Sequence, residues 1–299
     1  MTSFRNVLPS APAPAPPAPP QHLAGLDGLR GIAVLAVIAY HLFPSVAPGG
    51  FLGVDVFFVI SGFLITHLLI LEHERLGRLR LARFWIRRAR RLLPALAATV
   101  LVCGAVAAMI GGDTLVGIGR QVLGATTFSS NWIAAFTGQS YFSASTPDLF
   151  RNFWSLAVEE QFYLIWPLAL LLLLRLRPSG ARVAVMAVLA LSSATEMALL
   201  FRAGRDASRV YYGTDTHSFG LAVGAALALW LAGARAAGRG GQTRPPSAAT
   251  RWLPAAGLAC LAAVVTAVFV LPDDRAVTYR GGILVVSMAA AVVIWASGT

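Results

Sequence analysis

Arg30 and His41 stand eleven residues apart on one hydrophobic stretch, LDGLRGIAVLAVIAYHLFP. Eleven residues of α-helix turn through about 1100° and rise about 16 Å, so both side chains fall on one face, separated by about half the thickness of a bilayer's hydrocarbon core. Ionisable groups at that depth are costly, and they mark a buried path or site more often than a lipid-facing surface. Three acidic positions fall near the same end of their own apolar stretches: Asp55 in GGFLGVDVFF, Glu159 in NFWSLAVEEQFY and Asp215 in YYGTDTHSFG, the last with His217 beside it. An imidazole next to carboxylates is the equipment of general acid–base chemistry. Counted from Pro48 in the turn between the first two apolar stretches, His41 and Asp55 are symmetrically placed and are expected at similar depth on neighbouring antiparallel helices, with Asp55 or Glu159 orienting His41.

The elements that must position these groups follow from composition. Hydrophobic residues make up 57% of the 299 residues and charged ones only 12%, and the mean hydropathy is +0.70. An ordinary water-soluble domain is excluded. The apolar residues form blocks long enough to cross a bilayer, at 28–45, 51–71, 92–111, 153–174, 182–203, 213–233, 252–271 and 282–298. A weaker block, 114–137, contains Arg120, Gln121, Ser129, Ser130 and Asn131, and its polarity predicts a re-entrant or surface element and not a ninth span. The expected fold is an all-α polytopic transmembrane helix bundle.

Arginine sets the orientation. Between the second and third blocks, EHERLGRLRLARFWIRRARR holds Arg75, Arg78, Arg80, Arg83, Arg87, Arg88, Arg90 and Arg91. The positive-inside rule makes this loop cytoplasmic, and the N-terminus with it. Alternation then places 175–182 and 235–251, both rich in Arg, on the same side. Residues 1–25 are rich in Pro and Ala with no apolar core and read as a disordered cytoplasmic tail, followed by a transmembrane domain over 26–299. Cys103 and Cys260 lie inside apolar blocks and read as free thiols, with no metal site.

Each polar group also has a purely structural reading. Arg30 serves equally as a snorkelling anchor, His41 as an interhelical hydrogen bond, Asp55 as a helix cap and the 87–91 run as a topology signal. Glu159 and Glu160 are about 100° apart on a helix, so one faces a partner and the other solvent or a cap; Glu159 is expected inward. An Arg-dense inner surface also suits a nucleotide-bearing donor, because guanidinium pairs bidentately with phosphate.

LDGLRGIAVLAVIAYH, GGFLGVDVFFVISGFLIT, RFWIRRARRLLPAL, NFWSLAVEEQFYLIWP and YYGTDTHSFGLAVGAALA resemble, in order, the motifs of the acyltransferase family 3 membrane proteins, which include acetylases of O-antigen and other surface polysaccharides. The resemblance implies acyl transfer, with acetyl the expected group, from cytoplasmic acyl-CoA to a hydroxyl of an extracytoplasmic carbohydrate or lipid-linked glycan, by an integral protein of the bacterial plasma membrane. Acyl-CoA is a co-substrate and no bound cofactor or nucleic acid is implied. Arg30 and His41 match the family's Arg–His motif, and Arg87, Arg88, Arg90 and Arg91 its basic motif for the CoA phosphates. Asp55 and Ser61 match the second-span block, and Glu159, Gln161 and Tyr163 the block around SLAVEEQFY. His217 stands where relatives often carry Arg, with Asp215 beside it. The resemblance thus implies His41, Asp55 and Glu159 as catalytic, with Ser61, Gln161, Tyr163, Asp215 and His217 supporting or facing the acceptor. Family members usually have ten spans; ending after eight, this chain reads as C-terminally truncated. The competing class is a transporter or flippase of a lipid-linked or small acidic substrate, using the same buried Arg and His without chemistry.

This orientation is open to direct test. Reporters fused at Arg80 should read cytoplasmic and one at Ser208 extracytoplasmic; a cytoplasmic signal at Ser208 would overturn the eight-span arrangement.

Overall fold

In a computed structural model the described residues are 24–142, 148–238 and 248–298. They are all-α, and eight helices are long and apolar enough to cross a membrane. In chain order the helices are α1 (Ala24–Leu42), α2 (Gly53–Leu76), α3 (Leu81–Ile110), α4 (Ile118–Thr126), α5 (Ser130–Thr137), α6 (Phe153–Leu173), α7 (Ser179–Leu200), α8 (Ser208–Tyr212), α9 (Thr214–His217), α10 (Phe219–Gly238), α11 (Ala248–Val270) and α12 (Ile283–Ser297). The spanning set is α1, α2, α3, α6, α7, α10, α11 and α12, matching the eight apolar blocks. The weaker block forms α4 and α5, of 9 and 8 residues, each too short to cross. Residues 24 and 25 belong to α1 and not to the tail, whose remaining residues lie outside those described. Cys103 and Cys260 are free and half-buried.

The bundle is built around α2 and α10. A helix that is apolar on every side belongs in the interior, and α2 is buried along most of its length. Glycine lets the two backbones meet. A methyl group at Gly62 would strike the Leu221 carbonyl, and one at Gly224 the Val59 carbonyl and the Phe63 amide. Van der Waals contact at small residues is what holds helices together where lipid supplies no hydrophobic drive. The outer helices keep large apolar side chains exposed, as on α3 (Leu101, Val102, Met109) and α7 (Val188, Leu191, Leu199), which suits contact with lipid.

Two ends result. One carries the α2–α3 connection with its arginines; the other carries residues 43–52, α4, α5, α8 and α9. These are called the Arg-rich and the polar end below.

Adding a side chain at the glycine contacts should destabilise the bundle. Gly62→Val or Gly224→Val is expected to cost at least about 1–3 kcal/mol, the usual penalty of overpacking, in denaturant unfolding of the micellar protein. Gly28→Ala, inside α1 where nothing lies within 4 Å, should cost nothing and stabilise by up to about 1 kcal/mol.

Candidate active site

The link between α1 and α2 decides which groups meet. It is not the symmetrical hairpin expected. Residues 43–46 are exposed, and the chain turns into the bundle at 47–49, where Ala47 is 1% exposed and the Gly49 amide donates to the Val268 carbonyl at 2.9 Å. The chain therefore re-enters deep. Gly50 lies against Ala36 and Tyr40, and Gly53 against Ala33 and Val37. Asp55 sits two residues deeper still, about two turns below His41 and not level with it.

At that depth Asp55 meets a different imidazole. His217 Nε2 lies 2.6 Å from Asp55 Oδ1, and His217 Nδ1 lies 2.6 Å from the Tyr211 carbonyl oxygen. Both side chains are 0% exposed. A carbonyl only accepts, so Nδ1 carries a hydrogen and the remaining contact holds one shared proton. The pair is thus net neutral, as full burial demands. The rings of Phe58, Trp154, Tyr211 and Phe219 surround His217 at centroid distances of 4.7–5.6 Å. Asp55 Oδ2 has no hydrogen-bond partner.

His41 stands apart from every carboxylate expected to orient it. Its Nδ1 lies 2.8 Å from the Val37 carbonyl oxygen, one turn back on α1. The same acceptor-only argument puts the hydrogen on Nδ1 and leaves Nε2 with a free lone pair. The ring is exposed and packs edge-on against Tyr40 and Tyr141, at 5.5 and 6.1 Å. A backbone carbonyl therefore does the orienting that was expected of Asp55 or Glu159.

Glu159 faces inward as expected, but its partner is Ser61, whose hydroxyl donates to it at 2.8 Å. It lines a cleft of ≈ 330 Å³ between α1, α2 and α6, walled by Val37, Phe57, Phe58, Trp154 and Tyr141. Tyr141 joins the cleft to His41. Its hydroxyl is buried without a partner, and burial pushes the phenol up, so it is a neutral donor near pH 7.

Glu160 turns neither to solvent nor to a cap. Arg88 grips it through Nε (2.8 and 3.0 Å) and Nη2 (2.5 Å), and the guanidinium lies 3.3 Å over the Tyr163 ring. Arg88, Glu160, Gln161 and Tyr163 line a second cleft, of ≈ 310 Å³, between α3 and α6. Arg88 thus leaves the basic group in which it was expected, whereas Arg87, Arg90 and Arg91 are exposed. Arg30 bonds Asp27 at 3.3 Å on the exposed side of α1.

The remaining residues brace the polar end. Gln161 donates to the Phe128 carbonyl (2.8 Å) and to Asn131 Oδ1 (2.9 Å), and accepts from Thr214 Oγ1 at 2.6 Å. Asp215 pairs with Arg209 at 2.7 Å; burial acts to raise its carboxyl, but the Arg209 hydrogen bonds outweigh it and hold the group below the usual range. Asn131 and Tyr141 were missed by sequence reasoning. Asn131 registered only as polarity arguing against a span, and Tyr141 lies in a connection with no periodic pattern.

The family model described as "Acyltransferase domain" matches residues 23–299. The peptidoglycan O-acetyltransferase OatA of Listeria monocytogenes is 44% identical over 192 residues, which cover 64% of this chain and 31% of that protein. YrhL of Bacillus subtilis, provisionally named a peptidoglycan O-acetyltransferase, is 41% identical over 257 residues, covering 85% of this chain and 40% of the relative. A provisionally named O-acetyltransferase of Staphylococcus aureus is 34% identical over 251 residues, covering 83% and 41%. The chain spans less than half the length of the curated relatives it matches. No solved structure matches.

The buried pair generates a stability prediction. Asp55→Leu alone strands a buried imidazole and should cost about 3–5 kcal/mol, whereas Asp55→Leu with His217→Met should cost clearly less, read by unfolding in micelles. A double-variant loss equal to the sum of the separate Asp55→Leu and His217→Met losses would show that the two side chains are not coupled.

Proposed function

The chain belongs to the acyltransferase family, and on that premise we propose that it transfers an acyl group, acetyl by analogy with its named relatives, from acyl-CoA to a hydroxyl of an extracytoplasmic glycan. The observation that carries the reading is His41, whose Nδ1 is fixed by the Val37 carbonyl so that Nε2 is held ready to accept a proton.

The roles follow from position. The Arg-rich end faces the cytoplasm of a bacterial cell, the N-terminus with it, and the polar end faces outward. Arg87, Arg90 and Arg91 are the exposed guanidiniums available to the CoA phosphates, with Arg30, three turns below His41 on α1, as a further cation for the donor. In the transfer step the acceptor hydroxyl oxygen attacks the thioester carbonyl while His41 Nε2 takes its proton. The C–S bond then breaks, and the proton passes to the departing thiolate. The neutral Tyr141 hydroxyl at the cleft wall is a donor available to the oxyanion. Glu159, held by Ser61, is the carboxyl inside the cleft, and the Asp55–His217 pair positions the wall behind it. A carrier that moves its substrate without chemistry is not favoured, because the relatives are named for O-acetyl transfer.

The test is His41→Asn in the full-length protein. It should insert normally yet transfer labelled acetyl from acetyl-CoA to cell-wall glycan at least about a hundredfold more slowly, the lower end of what a general base contributes. Asp55→Asn should cost less. Transfer near the normal rate by the His41→Asn protein would remove His41 from the chemistry.

A further inference from the structure

A small polar crevice opens at the polar end between α4, α5 and the segment leading into α6, beside the cleft but separate from it. Its walls carry Arg120, Gln121, Ser130, Gln139, Asp148 and Arg151. Two of these side chains present buried polar atoms with no hydrogen-bond partner: Arg151 Nε and Ser130 Oγ. A guanidinium N–H can only donate, so what the crevice lacks is an acceptor. Leaving a charged donor unmade in a buried site is expensive, and a partner that satisfies it gains accordingly. Two neighbouring groups are already engaged. Gln121 Oε1 accepts the Leu149 and Phe150 amides at 3.1 and 3.4 Å and holds the wall, while Arg151 Nη1 reaches the Tyr141 carbonyl at 3.3 Å.

We infer that this crevice is an anion subsite that receives a carboxylate carried by the acceptor glycan. Three features select that chemistry. Asp148 offsets one of the two guanidinium charges, which suits a monoanion better than a phosphate dianion. The space, ≈ 20 Å³, holds little more than the one-water minimum of about 10–15 Å³, so it admits a carboxylate end but no sugar ring. The Arg151–Tyr141 bond ties the subsite to the wall of the reactive cleft, so a glycan anchored here by its acid group would lay a neighbouring ring toward His41. Burial pushes the Asp148 carboxyl up, in keeping with a poorly hydrated crevice in which a charge-assisted hydrogen bond is strong. The assignment to the acceptor rests on the transferase reading above.

Calorimetric binding of glucuronate and of glucose to the full chain in nanodiscs tests it. The wild-type protein should bind glucuronate at least about tenfold more tightly than glucose, the lower end of one charge-assisted hydrogen bond. Arg151→Gln should abolish the preference. Arg120→Gln, at an exposed position that folding does not need, should reduce it about threefold. Equal binding of the two sugars by the wild-type protein would overturn the subsite, and so would an unchanged preference in folded Arg120→Gln and Arg151→Gln proteins. A protein that prefers glucuronate yet transfers no acetyl group would count against the transferase reading and would support the crevice.

Discussion

A carboxylate and an imidazole with no access to water have to share a proton, and much of the polar end is arranged around that constraint. The Asp55–His217 contact is neutral as a unit, so Phe58, Trp154, Tyr211 and Phe219 can close over it. It also fastens α2 to the α8–α9 connection. From there the order propagates: the Tyr211 hydroxyl donates to the Phe51 carbonyl at 3.0 Å, and the Tyr141 amide donates to Ser208 Oγ at 2.6 Å. Tyr141 is thereby set as a wall of the cleft that Glu159 also lines.

The two histidines of this end differ in solvation. Both are oriented by a backbone carbonyl at Nδ1. In His217 the second nitrogen meets Asp55, and the ring is fully buried. In His41 the second nitrogen is free and the ring is open to its surroundings. A single carbonyl four residues back is the cheapest way to fix a tautomer, since it needs no second charge in the bilayer.

Spans, their number and the non-spanning character of 114–137 were readable because hydropathy and length act locally. The partner of Asp55 was not. It depends on how residues 47–49 turn inward to place Asp55 about two turns deeper than a hairpin would, a tertiary matter settled by the Gly49–Val268 bond to the distant α11. The same limit applies to Arg88. In the sequence it is one of a basic run, and only the packing of α3 against α6 turns it inward onto Glu160. Helical spacing did indicate that Glu159 and Glu160 face different ways. It did not indicate that each would find a polar partner, because Ser61 and Arg88 come from other helices.

Those adjacent acids give α6 a role of its own. With Glu159 on the α1–α2 side and Glu160 on the α3 side, the helix is a partition between two cavities of similar size. Its rotational phase therefore decides which chamber holds which carboxyl. A single residue inserted between Trp154 and Glu159 would turn everything beyond it by about 100°. It would carry Glu159 into the place of Glu160, facing Arg88, and set Val158 against Ser61, which would lose its carboxyl partner. A length change in this segment is thus far more disruptive than most substitutions, a sensitivity ordinarily associated with strand register and here imposed on a helix by what lies on either side of it.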